Sequence, residues 1–135
     1  MVDASSLTDD DFVELLRFRD ALRRFQRWSE DRAKQAGLTA AQHQLLLAIR
    51  GHGGRPTIGD VADHLLLRHH SVVELVDRAQ RAGLVIRSVD PDDRRAVRLA
   101  LSVAGEAHLN ELTIDHLDEL HRLQRELQWR DSALR

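Results

Sequence analysis

A short basic and polar run, Arg68-His69-His70-Ser71, contains side chains that can hydrogen-bond to the base edges of duplex DNA. If this run begins a helix, the first backbone N–H groups of the helix would also face a phosphate. Glu74 would lie one turn later on the same face, where its carboxylate could accept from the amino group of cytosine. These residues predict a DNA-reading surface. The alternative is that Arg68 and His69 only solvate a turn and that Glu74 is an ordinary surface acid.

A second basic group, Arg94-Arg95, follows Asp93 in a segment with turn-forming residues, Asp90-Pro91-Asp92-Asp93. Exposed arginines at the tip of a hairpin suit the minor groove of DNA, whose negative potential attracts guanidinium groups. Charge for solubility is the alternative, although a solvated tip would not need adjacent arginines. We therefore predict a second DNA contact at Arg94 and Arg95.

Capping residues and apolar spacing indicate the helices that must position these groups. Thr57 and Asp60 have the spacing of a capping box, which predicts a helix from Ile58 to about Leu65. A second helix is predicted from about His69 to Ala82, and Gly83 would end it because glycine readily adopts a positive φ. Its apolar residues recur at helical spacing: Val72, Leu75, Val76 and Ala79.

Beyond this glycine the apolar residues alternate, as they do in strands. Val97, Leu99 and Leu101 are predicted to face inward while Arg98 points outward, and residues 84–86 supply the partner strand. Two short helices followed by a two-stranded hairpin with an arginine tip predict a winged helix-turn-helix. The fold class is therefore mainly α.

Two more helices are predicted before this module. Thr8 and Asp11 form a possible capping box for a helix that runs to about Ala36 and carries an apolar stripe: Leu15, Phe18, Leu22 and Phe25. Thr39 and Gln42 repeat the capping spacing and open a helix to about Arg50, with three residues expected in the core: Leu45, Leu46 and Ile49.

After the hairpin, Ser102 can cap a last long helical stretch. Its leucines follow a seven-residue pattern: Leu109, Leu112, Leu120, Leu123 and Leu127. A DNA module of this size cannot cover two such stripes, so we predict that they pack on a second copy of the chain, giving a homodimer. The alternative is that they pair only within one chain. The predicted division is 1–36 for an N-terminal dimerisation helix, 37–101 for the DNA-binding lobe and 102–135 for C-terminal dimerisation helices.

The composition narrows the class of protein. The chain has 135 residues, 42% hydrophobic content and no cysteine, which predicts one globular domain without disulfides or thiolate ligands. The net charge is −2, but residues 50–98 carry nine arginines and seven acids. No apolar run approaches the roughly 20 residues that span a bilayer, and the first residues are acidic rather than signal-like. We therefore expect a cytoplasmic protein without a membrane partner.

The eight histidines do not form a clear metal motif. His108, His116 and His121 are separated by eight and five residues, whereas a helical zinc pair is commonly four residues apart. A metal-responsive switch, with His43 meeting His108 or Glu111 across the fold, remains an alternative, and His116 is interpreted as a satisfied core histidine. We predict no metal and no cofactor.

Catalysis is not expected. His70 and Ser71 are successive residues of a predicted helix, so their side chains point about 100° apart and the histidine cannot activate the serine. The sequence therefore predicts a binding protein rather than an enzyme.

Three stretches together resemble the MarR family of bacterial transcription regulators, and the resemblance covers about Leu7 to Leu127. They are the opening Leu38-Thr39-Ala40-Ala41-Gln42, the run Glu74-Leu75-Val76-Asp77-Arg78 leading to Gly83-Leu84-Val85, and the wing Asp90-Pro91-Asp92-Asp93-Arg94-Arg95. The resemblance implies a homodimeric repressor, or less often an activator, on a pseudo-palindromic operator. It also implies base contacts from His70 and Ser71.

The same resemblance implies that the Asp93 carboxylate braces Arg95. It implies a small phenolic or anionic ligand between the dimerisation helices and the DNA-binding lobe, which would weaken DNA binding. Two departures are relevant. The C-terminus is short for the family, so the final helix after about Leu123 is expected to be abbreviated, and the absent cysteine excludes the peroxide-sensing branch. A helical interaction protein that has lost DNA binding is a further alternative, against which the arginines of the wing argue.

Overall fold

The computed structural model describes residues 3–128 and consists of helices around one small sheet. A short 3-10 helix, Ala4–Ser6, precedes the first long helix. The helices and strands follow in the order α1 (Asp9–Gln35), α2 (Ala40–Gly51), α3 (Ile58–Leu65), α4 (His69–Arg81), β1 (Val85–Val89), β2 (Val97–Leu101) and α5 (Val103–Gln128). This order confirms the predicted winged helix-turn-helix with a long helix on each side.

Capping residues start the first three helices where the sequence predicted. At α2 the Gln42 N–H donates to Thr39 Oγ1 over 3.0 Å, and the Thr39 N–H donates back to Gln42 Oε1 over 3.1 Å. The same pair of bonds at α3 joins Thr57 and Asp60, over 2.9 and 3.1 Å. The Thr57 N–H is the main reason that the pKa of the Asp60 carboxyl lies below its usual value. At α1 the Asp11 carboxylate accepts from the Thr8 N–H over 2.8 Å.

The hydrophobic core lies inside the winged-helix lobe. Every element of the lobe contributes side chains that are at most 3% exposed: Leu45, Leu46, Ile49, Val61, Val72, Val76, Ala79, Val85 and Leu99. Leu109 and Leu112, from the first half of α5, complete this core. The lobe therefore holds α4 on a closely packed base.

The hairpin is antiparallel, with Val85 opposite Leu101 and Val89 opposite Val97. Leu99 is fully buried and its two alternate neighbours are half-buried, which confirms the predicted inward face. The first strand differs from the prediction, because it runs to Val89 and Ile86 is 51% exposed. Arg98 does not simply point outward but is half-buried at the base of the wing.

The start of α5 is joined to the end of the helix-turn-helix. Ser102 Oγ accepts the Gly105 N–H over 3.0 Å, confirming the predicted cap, and donates to the Gly83 carbonyl over 2.6 Å. Gly83 has a φ of 76°, as its role at the helix end requires. A Cβ at Gly105 would collide with the Leu84 carbonyl oxygen, so glycine permits this close approach.

Helix α5 continues without interruption past Leu123 to Gln128. The plural helices predicted for 102–135 are thus a single helix over the described part of the chain, because no glycine or proline interrupts it after Gly105. Residues 129–135 lie outside the described residues. None of the helices within 3–128 is long and apolar enough to cross a membrane.

Candidate nucleic-acid interface

Helix α4 is buried on one face and exposed on the other. The predicted apolar stripe packs into the core, with Val72, Val76 and Ala79 fully buried and Leu75 8% exposed. Of the five DNA-contact residues predicted at this helix, Ser71 is half-buried and the other four are exposed: Arg68, His69, His70 and Glu74. One end of the helix thus presents basic and polar side chains from a rigid support.

The N-terminus of α4 is suited to an anion. Arg68 is the N-cap residue, and no side chain among the described residues bonds to the first free N–H groups. The first turn contains no acidic residue. Because uncapped N–H groups and the helix dipole both favour negative charge, this helix end can receive a phosphate in addition to any base contacts.

An ion pair that the sequence reasoning missed joins α4 to the hairpin. Arg87 of β1 donates to Asp77 Oδ1 over 2.5 Å and to the carbonyl of Val73 over 3.4 Å. A partly exposed ion pair contributes only about 0–1 kcal/mol to stability. Its geometric effect matters more, since it links the orientation of α4 to that of the wing.

Asp90 organises the wing. One carboxylate oxygen accepts the Asp92 N–H over 2.8 Å, and the other accepts Arg98 Nε over 2.8 Å. These two contacts, led by the Asp92 N–H, keep the pKa of the Asp90 carboxyl below its ordinary value. Arg98 also donates to the carbonyl of Arg55 over 3.2 Å, so the base of the wing is tied to the segment before α3.

The brace between Asp93 and Arg95 differs from the one that the family resemblance implied. The Asp93 carboxylate accepts the backbone N–H of Arg95 over 3.0 Å, so it shapes the turn rather than holding the guanidinium. The Asp90 carboxylate instead forms an ion pair with Arg98 of the wing. Arg94 and Arg95 are both exposed.

One further exposed basic residue, Arg55, lies at the base of the wing. Arg55 lies on the rim of an open depression of about 370 Å³ at the base of the wing, which also contains Asp90 and Arg98. Sequence reasoning missed Arg55 because it lies in a glycine-rich connection without periodicity. The sequence signal for Arg55 is its position directly before Pro56. The Pro56 carbonyl accepts the Leu99 N–H over 2.9 Å, and this bond fixes the segment to the hairpin.

A separate cavity of about 450 Å³ lies between α1, α2 and α5. His116 crosses one wall, with Nδ1 2.7 Å from the Leu112 carbonyl and Nε2 2.7 Å from Ser29 Oγ. A carbonyl can only accept, so Nδ1 carries the proton and, in the neutral ring, Nε2 accepts from the Ser29 hydroxyl. Both ring nitrogens are therefore satisfied, as predicted for a core histidine.

His43 packs against His116 with ring centroids 4.6 Å apart. Burial, followed by the nearby His116, keeps the pKa of His43 below its ordinary value. The alternative metal site expected His43 to meet His108 or Glu111, but Glu111 lies 3.7 Å from Arg32 instead. Within residues 3–128 no group of three or more histidines and carboxylates is arranged to hold a metal ion.

The comparison with known proteins agrees with this architecture. Residues 36–96 match the sequence profile of the MarR family. The matched MarR segment includes α2, α3, α4, β1 and the wing loop through Arg95, and thus all eight predicted site residues: Arg68, His69, His70, Ser71, Glu74, Asp93, Arg94 and Arg95.

Individual relatives match parts or most of the chain. The HTH-type transcriptional regulator YcgE of Bacillus subtilis is 38% identical over 64 residues, which are 47% of this chain and 42% of YcgE. The matches to curated relatives such as this one span about half of those proteins' length. Their names are those of transcription regulators rather than enzymes.

Solved structures confirm the fold. The crystal structure of AbsC, a MarR family transcriptional regulator from Streptomyces coelicolor, is similar with a TM-score of 0.74 at 21% identity, covering 96% of this chain and 92% of AbsC. A mutant MarR from E. coli complexed with operator DNA is similar with a TM-score of 0.69 at 22% identity, covering 90% of this chain and 88% of that one.

Proposed function

We propose that this protein is a transcription regulator that binds duplex DNA as a homodimer at a pseudo-palindromic operator and acts as a repressor. The observation that carries the proposal is the N-terminus of α4, which is uncapped, basic and exposed while the opposite face of the helix is fully buried. The relatives' names as transcription regulators and the operator DNA in the E. coli MarR structure support it.

In this proposal α4 enters the major groove and the wing contacts the flanking minor groove. His70 and Ser71 contact base edges, Arg68 and His69 contact the backbone or bases, and Glu74 accepts from cytosine. Arg94 and Arg95 enter the minor groove, positioned by the turn that Asp93 shapes. The modest charge of the lobe means that affinity depends on these few side chains rather than on a broad basic field.

The outer faces of α1 and α5 support the homodimer. The two helices do contact each other within one chain, through ion pairs of Arg24 with Glu126 and Arg32 with Asp115. This pairing nevertheless leaves large apolar side chains between 39% and 65% exposed: Phe12, Val13, Leu15, Leu16, Phe18, Ile114, Leu117 and Leu120. A second copy would cover them, with residues 1–36 and 102–135 forming the interface.

The cavity between α1, α2 and α5 is our proposed effector site. Its walls combine the apolar Leu22, Phe25 and Leu47 with the polar Ser29 and His43, and the charged residue in its described lining is the acidic Glu30. This lining suits an uncharged phenolic molecule better than an anion, because no arginine or lysine lines the described walls. A ligand here would contact both the proposed dimer helices and α2 of the lobe, and so could shift α4 and release DNA.

Selection of genomic fragments with purified protein, followed by footprinting of the preferred site, tests the proposal. We expect two related half-sites with centres about one helical turn, or 10–10.5 base pairs, apart. We also expect affinity to fall steeply as salt rises, because phosphate contacts release counterions. Recovery of no enriched sequence, with a correctly folded protein, would reject the DNA-binding function.

A further inference from the structure

Two histidines outside the effector cavity face each other across the connection between α2 and α3. His52 is the C-cap residue of α2 and His64 lies in the last turn of α3. His52 Nδ1 is 2.9 Å from His64 Nε2, and the ring centroids are 5.1 Å apart. One nitrogen must donate the shared proton and the other must accept it. Two imidazole nitrogens, each a possible metal ligand, therefore lie next to each other.

The separation of these nitrogens is close to that of a metal site. Zinc–nitrogen bonds of about 2.0–2.1 Å at a tetrahedral angle place two ligand nitrogens about 3.3 Å apart. Replacing the shared proton with a metal ion therefore requires the two nitrogens to move apart by about 0.4 Å and both rings to turn until their lone pairs meet at the ion. His52 lies between Gly51 and Gly53, the latter with a φ of 81°, so neither of its chain neighbours has a side chain that would oppose this adjustment.

The other nitrogen of His52 faces a carboxylate. His52 Nε2 is 3.7 Å from Asp60 Oδ2, and that carboxylate is held in place because it also caps α3 through the Thr57 N–H. A carboxylate behind the outer nitrogen of a metal-binding histidine fixes the ring orientation and raises its basicity. Asp60 thus lies behind His52, and the position for a metal ion lies between His52 and His64.

We propose that His52 Nδ1 and His64 Nε2 bind a divalent transition metal ion of the zinc class, with Asp60 orienting His52. An open depression of about 380 Å³, which includes Gln44 and Leu65, gives an ion and its remaining water ligands access from solvent. The site has two imidazole ligands and one outer carboxylate, so it differs from a closed structural zinc centre with four protein ligands. It is also separate from the His43–His116 pair, in which both His116 nitrogens already have partners.

Metal binding here would tie the end of α2 to the end of α3, directly before α4. We therefore expect the ion to raise the thermal stability of the lobe, because it binds the folded arrangement and the unfolded chain does not hold the two rings together.

Zinc titration of chelator-stripped, full-length protein by calorimetry tests the site. We expect one ion per chain in this site. His52→Gln and His64→Gln should each weaken zinc binding by at least about tenfold, and Asp60→Asn, which keeps an oxygen for the helix cap, by about tenfold. The matched control is His121→Gln, which removes an exposed histidine of α5 and should leave zinc affinity unchanged.

Imidazole nitrogen NMR provides a second readout that a stability defect cannot imitate. Zinc should shift the ring resonances of His52 and His64 and leave those of His108 and His121 in place. Equal zinc affinity in wild type, His52→Gln and His64→Gln would overturn the proposal, as would an equal loss in His121→Gln. These measurements use no DNA, so their failure would leave the proposed regulatory function intact.

Discussion

Many apolar residues of the winged-helix lobe are buried, whereas many of those on the outer parts of α1 and α5 are exposed. Leu45, Val76 and Leu99 in the lobe are fully buried, whereas Phe12 and Leu15 of α1 are each 62% exposed. Both regions carry apolar residues at helical spacing. The contrast shows that the lobe completes its core within one chain and that the long helices do not.

The largest expected effect concerns the exposed apolar residues of α1 and α5. Leu15→Asp together with Ile114→Asp should convert the proposed dimer to a monomer. Each buried leucine or isoleucine contributes about 1.5–3 kcal/mol, and a two-fold interface contains each substitution twice. Sedimentation at tens of micromolar decides the outcome. Wild-type protein that is itself monomeric under these conditions would show that the exposed stripes are not a dimer interface.

Substitutions in the buried core of the lobe should lower stability rather than change the oligomeric state. Leu46→Ala, in the lobe core, should cost about 2–5 kcal/mol of unfolding free energy because it leaves a cavity. The matched surface control is Leu67→Ala, since Leu67 is 43% exposed and its truncation should cost much less. Denaturant unfolding compares the two variants. Equal destabilisation by both would contradict the assignment of the core to the lobe.

Within the lobe, base reading can be separated from positioning. Ser71→Arg should change the preferred DNA sequence and weaken binding to the original site by about 1–3 kcal/mol. Arg81→Ala, at the far end of α4, is the control and should leave sequence preference unchanged. Selected binding motifs provide the comparison. If substituting both His70 and Ser71 leaves the motif unaltered, this face of α4 does not read bases.

The wing should affect affinity without changing major-groove preference. Removing Arg94 and Arg95 together should make the salt dependence of binding shallower by about one ion per arginine in each wing. The thermal midpoint should stay constant because both side chains are exposed. Unchanged affinity and an unchanged salt slope in a correctly folded variant would show that Arg94 and Arg95 do not contact DNA.

The smallest expected effect is a pH dependence from the buried His43. Its pKa is lowered in the folded protein, so the unfolded chain binds the proton more readily. Stability from neutral His43 is therefore present above the ordinary value of 6.5 and is lost as the pH falls through the folded pKa. Thermal midpoints should fall less between pH 7 and pH 5 in His43→Gln than in wild type. His121→Gln, which should follow wild type, is the control.

Sequence reasoning succeeded where a signal is local. The capping boxes at Thr39 and Thr57, the stripe of α4 and the stop at Gly83 all depend on residues within one or two turns of each other. It was less accurate at the wing, where the family resemblance assigned the arginine brace to Asp93. In the structure Asp90, directly after β1, forms an ion pair with Arg98 of β2 instead.

The same distinction holds for the candidate sites. Local order along the chain determined the helices, the hairpin and the exposed basic ends, because hydrogen bonds at caps and apolar periodicity act over a few residues. Only the tertiary structure decided which distant groups meet: Arg87 with Asp77, His43 with His116, and His52 with His64. No spacing in the sequence specifies these pairs, since the packing of the helices and of the hairpin on the core brings them together.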